Sequence, residues 1–140
     1  MPENRPAQAN EALRTIEREW NAAAQNWDAD KLAAIYTPDA VFYGGRPGIS
    51  VGTAEIRAYF ASYRGILKST TMALVEQHLR ELGPETFVAQ GYVDFKFLLE
   101  SGKHTATTLR TTLTIVRRDN KWKVIQHHFS TTPETIPVPQ

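Results

Sequence analysis

An α+β fold is predicted by three observations. Apolar residues recur at helical spacing in the first half of the chain, as in Leu13, Ile16, Trp20, Ala23, Ala24 and Trp27. From Ser69 onward the pattern changes to alternation rich in β-branched and aromatic residues. Turn signals at Gly83-Pro84, Ser101-Gly102 and Asp119-Asn120 divide that half into four runs. Helices first and antiparallel strands after them describe α+β, whereas a regular strand–helix alternation would describe α/β.

The first helix takes the Leu13–Trp27 stripe as its buried face. Asp28 and Asp30 open a second helix, because carboxylates suit a helix N-terminus. Its face is Leu32, Ile35 and Tyr36, and Pro38 stops it by pushing the preceding residue out of the helical region. Asp39 to Gly44 reads as a short strand, followed by a loop forced by Gly44, Gly45, Pro47 and Gly48. Thr53 caps a third helix with Ile56, Phe60, Tyr63 and Leu67 on one face. The strands are Ser69–Leu82, Thr86–Leu99, His104–Arg118 and Trp122–Thr131.

The 140 residues suffice for one core and one domain. Residues 1–10 read as a flexible lead, 11–132 as the domain and 133–140 as an extended tail containing Pro133, Pro137 and Pro139. A formal net charge of +1 with no basic run gives no field for nucleic acid or an anionic membrane. No segment approaches the roughly 18 apolar residues of a membrane span. With no cysteine there are no disulfides or thiolate ligands, which mildly favours a reducing, cytoplasmic setting.

Alternation assigns the faces of the sheet. Phe87, Ala89, Gly91, Val93, Phe95 and Phe97 share the core side of their strand, and Leu109, Thr111, Leu113 and Ile115 share it in the next. The last strand carries apolar groups on both sides. A two-residue turn at Asp119-Asn120 would set Val124, Gln126 and His128 beside Leu113 and Ile115. A three-residue loop with Asn120 in the left-handed region would put Ile125, His127 and Phe129 inside. The second is preferred because it buries Ile125 and Phe129 together. Tyr92, Ala106, Trp122 and Val124 then lie on the outer face, and so mixed a face predicts a homodimer packed sheet to sheet.

The order of elements and two motifs resemble the nuclear transport factor 2-like superfamily. Asp28–Gly44 (DADKLAAIYTPDAVFYG) is similar to a segment of its ketosteroid isomerase-like and SnoaL-like members. Arg117–Pro133 (RRDNKWKVIQHHFSTTP) resembles the end of the association domain of calcium/calmodulin-dependent kinase II. The resemblance spans about residues 11–137 and implies a cystatin-like cone, with three N-terminal helices packed on a curved antiparallel sheet. It also implies working residues that are missing here. Trp20 stands where the isomerases place a tyrosine donor, and Gly44 where they place an aspartate base. Val93, Leu113 and Phe129 stand where the association domain places carboxylate-binding arginines.

The residues left to carry chemistry are few. His127 is the candidate acid–base, pointing into the cone among Phe95, Phe97 and Phe129, against the alternative that it completes the core. Its neighbour His128 points the other way, so the pair cannot chelate one metal. Tyr36, Tyr43, Tyr59 and Tyr63 lie on or near the elements lining the mouth, although parity turns Phe42 inward and Tyr43 outward. Glu76 and His78 pair in the interior only if Ala73, Val75 and Leu79 do not face it, and apolar alternation favours those three. Arg110 sits with Asp94 on the outer face. The predicted ligand contacts are Trp20, Trp27, Tyr36, Phe42, Tyr63, Phe95, Thr111 and Phe129. No cofactor or metal is expected. The expected function is binding of a small apolar or aromatic molecule, with isomerase- or hydratase/cyclase-type proton transfer if the protein is an enzyme. A non-catalytic association module is the alternative.

Overall fold

The computed structural model describes residues 5–139. Three helices, α1 (Arg5–Ala24), α2 (Ala29–Ala33) and α3 (Gly52–Ala61), pack on six strands: β1 (Tyr36–Tyr43), β2 (Ser50–Val51), β3 (Leu67–Gly83), β4 (Thr86–Leu99), β5 (His104–Arg118) and β6 (Lys121–Ser130). The sheet order is β2-β1-β6-β5-β4-β3. All neighbours are antiparallel except β1 and β6, which run parallel.

Helix α1 begins earlier than its large apolar residues imply. Ala9 extends the buried stripe of Ala12, Leu13, Ile16 and Trp20 by one turn. Residues 5–10, expected to form part of a lead, are therefore helical. Residues 1–4 of that lead lie outside the described residues.

The polar side of α1 has a structural task. Strand β3 ends the sheet, and an uncovered edge would expose a row of unpaired backbone groups. Asn21 accepts from Met72 N at 2.6 Å and donates to Met72 O at 2.9 Å. Glu17 accepts from Leu74 N at 2.7 Å, and Arg14 donates to Leu74 O at 3.2 Å. Side chains at 14, 17 and 21 thus serve as the missing neighbour strand.

Asp28 caps α2, its carboxylate accepting from Lys31 N at 3.0 Å. The helix is shorter than predicted, so Tyr36 belongs to β1 and not to a helical face. Pro38 lies inside β1 at an irregularity of the β1–β6 register, where a strand can spare the N–H that proline lacks. Thr53 does not cap α3. Val51 holds the capping position, and Glu55 reaches back to accept Val51 N–H at 2.8 Å.

Two β-bulges correct the face assignments. Within β3, Glu76 has φ 51° and the pairing shifts between Val75 and His78. Before the bulge Thr70, Met72 and Leu74 are buried, while Ala73 is exposed and Val75 pairs with outward-facing Tyr92. After it Leu79 packs on the core. Glu76 and His78 are exposed, away from the interior.

The second bulge is in β6. Asp119 and Asn120 have φ 52° and 62°, and Arg118 pairs with Lys121. This is the tight two-residue turn, not the preferred three-residue loop. It sets Val124 beside Ile115, and Trp122 packs on buried Phe87, so both lie on the inner side and not on the outer face. Ile125 is the extra residue between Val124 and Gln126. Parity changes there, and His127 and Phe129 are buried after all.

Candidate functional site

A recess of about 370 Å³ opens between α1, α3 and the inner face of the sheet. Trp20, Trp27, Tyr63, Phe95 and Phe129, five of the predicted contacts, line it. Tyr36, Phe42, Thr111 and His127 do not line it and are buried beneath or beside it. Residues absent from the predicted contacts but lining it include Tyr59, Phe60, Phe97, Leu109 and Thr107. Phe97 was readable from its alternation with Phe95, and Phe60 from the stripe of α3. Among the described residues, no charged side chain lines the recess.

The aromatic groups form one continuous cluster of mostly edge-to-face and tilted contacts. Trp20 meets Trp27, Phe60 and Phe95 at ring-centroid distances of 6.2, 6.4 and 5.7 Å. Phe95 meets Phe129 at 5.2 Å, and Phe129 meets His127 at 5.1 Å. Trp27 is fixed by its indole N–H, which donates to Phe60 O at 2.8 Å.

At the base, the Tyr36 hydroxyl and His127 Nδ1 are 2.8 Å apart. Tyr36 stands at the start of β1 and His127 near the end of β6, and the parallel pairing of those strands brings them together. Phe42 packs edge-on to both rings. Burial strips water from the imidazolium and lowers the His127 pKa to about 3, with a smaller contribution from the charge of His128. Burial likewise raises the Tyr36 pKa, while the Trp20 indole opposes the rise. Both groups are neutral at neutral pH.

Among the described residues, three buried polar atoms of this region have no hydrogen-bond partner: His127 Nε2, Trp20 Nε1 and Thr111 Oγ1. Thr111 pairs with Phe129 across the β5–β6 ladder, which makes it a diagonal neighbour of His127 on the inner face. A buried donor or acceptor left unpaired is costly, so such atoms mark places where a ligand atom or water fits.

The rim is polar and is built by the Gly44–Gly48 loop against α3. Gly45 N–H donates to the Tyr59 hydroxyl at 2.8 Å. Arg46 lies 4.3 Å over the Tyr63 ring and donates to Ser62 Oγ and Ser62 O, each at 3.2 Å. A Cβ at Gly44 would overlap the Tyr59 hydroxyl and come within 2.7 Å of Phe42 Cε1. The Tyr59 ring occupies the space that a catalytic side chain at position 44 would need. Tyr43 is 46% exposed and packs at a tilt against His128 outside the cone. Among the described residues, no three histidine, aspartate or glutamate side chains gather as metal ligands. No helix there is long and apolar enough to cross a membrane.

A cone of helices on a bent sheet, closed around an apolar recess with a buried polar base, defines a class of small α+β pocket proteins. Residues 13–134 match the SnoaL-like domain, and the chain belongs to that family. No curated protein matches it in sequence. Among solved structures, one assigned as a calcium/calmodulin-dependent protein kinase II association domain, from Xanthomonas campestris, is 27% identical, with a TM-score of 0.75 over 83% of this chain and 82% of that one. One assigned as a scytalone dehydratase, from Novosphingobium aromaticivorans, is 12% identical, with a TM-score of 0.78 over 95% of this chain and 89% of that one. A nuclear transport factor 2-like superfamily protein from Salmonella enterica is 14% identical, with a TM-score of 0.75 over 96% and 99% of the two chains. The fold is that of the nuclear transport factor 2-like superfamily, and the chain is also similar to a protein with a cystatin-like fold from Caulobacter vibrioides, 18% identical, with a TM-score of 0.71 over 91% of this chain and 92% of that one.

Proposed function

We propose that this protein binds a small, mostly apolar or aromatic molecule in the recess, and that the Tyr36–His127 pair handles the one polar group of that molecule. The observation that carries this reading is the buried Tyr36–His127 hydrogen bond with His127 Nε2 left unpartnered. An apolar wall with few convergent polar groups is the ordinary form of a small-molecule site.

In this reading the Tyr36 hydroxyl donates to His127 Nδ1, the more acidic O–H serving as donor and the more basic ring nitrogen as acceptor. That tautomer puts the ring proton on Nε2. A neutral imidazole with so low a pKa is a weak base, and its Nε2–H is a suitable hydrogen-bond donor, so its task is to polarise a ligand oxygen. Phe129 touches both the recess and the imidazole, and its ring must turn aside for a ligand to reach Nε2. If the protein is an enzyme, that donor would stabilise negative charge developing on the ligand oxygen in chemistry of the isomerase or dehydratase kind.

Native mass spectrometry of protein purified from its own host tests the binding. A co-purified small molecule, lost when Leu109→Arg fills the recess, is expected. An unliganded mass, together with no quenching of Trp20 and Trp27 fluorescence by aromatic probes, would sink the reading.

A second reading, self-association through the outer face of the sheet, has its own support. Tyr92 is 40% exposed there, among Glu76, Arg110 and His128, which carry both signs of charge. The inward placement of Trp122 and Val124 leaves that face less apolar than the sequence implied. Size-exclusion chromatography with light scattering decides: a dimer fits a paired sheet face, a larger ring an association module, and a monomer neither.

A further inference from the structure

We infer that the ligand is an amphipathic anion, its apolar body in the recess and its carboxylate or comparable oxyanion at the rim against Arg46, Tyr59 and Tyr63. This rests on the small-molecule reading above and adds to it the charge and orientation of the ligand.

The argument begins with the distribution of polarity. The recess is mainly apolar along its walls, with no charged side chain among the described residues lining it. At the Gly45–Arg46 edge the groups change character. The Tyr59 and Tyr63 hydroxyls converge on Gly45: a Cβ there would lie 3.7 Å from the one and 3.0 Å from the other. Both tyrosines line the recess. The Tyr59 oxygen accepts from Gly45 N–H and its hydroxyl interacts with that of Tyr63, so the two phenols together keep one proton for a ligand. Burial raises the Tyr59 pKa, which keeps that proton in place.

Arg46 supplies the charge. Its guanidinium is seated on the Tyr63 ring, and Nε and Nη2 are fixed by Ser62. No hydrogen bond from Nη1 and no ion pair of Arg46 is found among the described residues. Arg14, Arg57, Arg117 and Arg118, by contrast, each have a carboxylate partner. A stacked and immobilised guanidinium has already lost much of its rotamer freedom, so an oxyanion binding to it loses less entropy. A phenol donor and an unpaired guanidinium beside an uncharged cavity suit an oxyanion at the end of an apolar body. A neutral ligand would leave the cation unanswered, and a cationic one would be repelled.

The test uses two probes that share a body and differ in charge, naphthoate and its neutral amide, naphthamide. Binding is read from the fluorescence of Trp20 and Trp27, which line the recess. Naphthoate is expected to bind about tenfold more tightly, the scale of one charge-assisted bidentate contact. Salt should weaken the acid and spare the amide. Arg46→Gln should abolish the preference, weakening naphthoate far more than naphthamide, with near-ultraviolet circular dichroism reporting the fold. If both probes bind equally to the native protein, or if Arg46→Gln weakens both alike, the orientation is wrong while the pocket reading stands. If neither binds, the pocket reading falls and takes this inference with it.

Discussion

The Tyr36 hydroxyl lies 2.8 Å from His127 Nδ1, although the two residues are 91 positions apart in the chain. Both are buried, and the aromatic rings of Phe42, Phe60 and Phe129 close around them. Removing one partner strands the other without water. Tyr36→Phe should therefore cost about 1–3 kcal/mol in chemical denaturation, the desolvation penalty of an unsatisfied buried nitrogen. A double-mutant cycle with His127→Leu should show strong coupling, because the second change removes the orphan left by the first. Additive effects would mean that the hydrogen bond contributes nothing.

His127 also sets an acid sensitivity. Its pKa is about 3 in the folded chain, against an ordinary value of 6.5. Below pH 6.5 the unfolded chain takes up a proton that the folded chain refuses. The stability contributed by the neutral imidazole is thus fully present above pH 6.5 and is lost as pH falls from 6.5 toward 3. Denaturation midpoints measured across this window should fall with a slope approaching about one proton in the native protein. His127→Gln should flatten that slope. The carboxylates of Asp30 and Asp39, held low by Arg57 and Arg118, titrate at the acid end in both proteins and do not mask the difference.

Fold class and element order were legible because they depend on pattern. The stripe of α1 and the alternation along β4 each repeat often enough to outvote single exceptions. The exceptions lay at bulges. One residue inserted at Ile125, and one irregular turn at Glu76, change which parity faces the core, and no periodicity reports a single insertion. The inward placement of His127 was right although the turn assumed for it was wrong, since two displacements cancelled. The Tyr36 partner was hidden for a different reason. Its spacing from Leu32 and Ile35 assigns Tyr36 to a helix, and its contact with His127 depends on a parallel pairing of β1 with β6, strands distant in the chain, that local sequence does not encode.

Gly44 is required by packing. A side chain there would collide with Tyr59 and Phe42 at the rim. Gly44→Ala should destabilise by about 1–3 kcal/mol, as overpacking does. The loss should shrink in a Tyr59→Ala background, where the colliding ring is gone. Gly44→Asp should fail to install an acid–base function for the same steric reason. Equal losses in both backgrounds would place the strain elsewhere.

The bulge in β3 makes a paired prediction. Glu76 adopts φ 51°, a left-handed conformation that costs a non-glycine residue about 1–2 kcal/mol. Its carbonyl projects toward Gly91 on β4, and a Cβ at that glycine would overlap the carbonyl oxygen and sit 2.7 Å from Gln77 Nε2. The two positions therefore respond oppositely. Glu76→Gly should stabilise the protein by up to about 1 kcal/mol, since the backbone already has a glycine-like conformation. Gly91→Ala should destabilise it by more than that, because a backbone carbonyl held in a ladder cannot rotate away as a side chain would. Moving both residues at once cannot rescue the loss: Glu76→Gly removes a side chain and leaves the obstructing carbonyl where it was. Thermal unfolding of the two single variants and the double variant checks this, and recovery of native stability in the double variant would show that the Glu76 side chain, not its carbonyl, sets the limit.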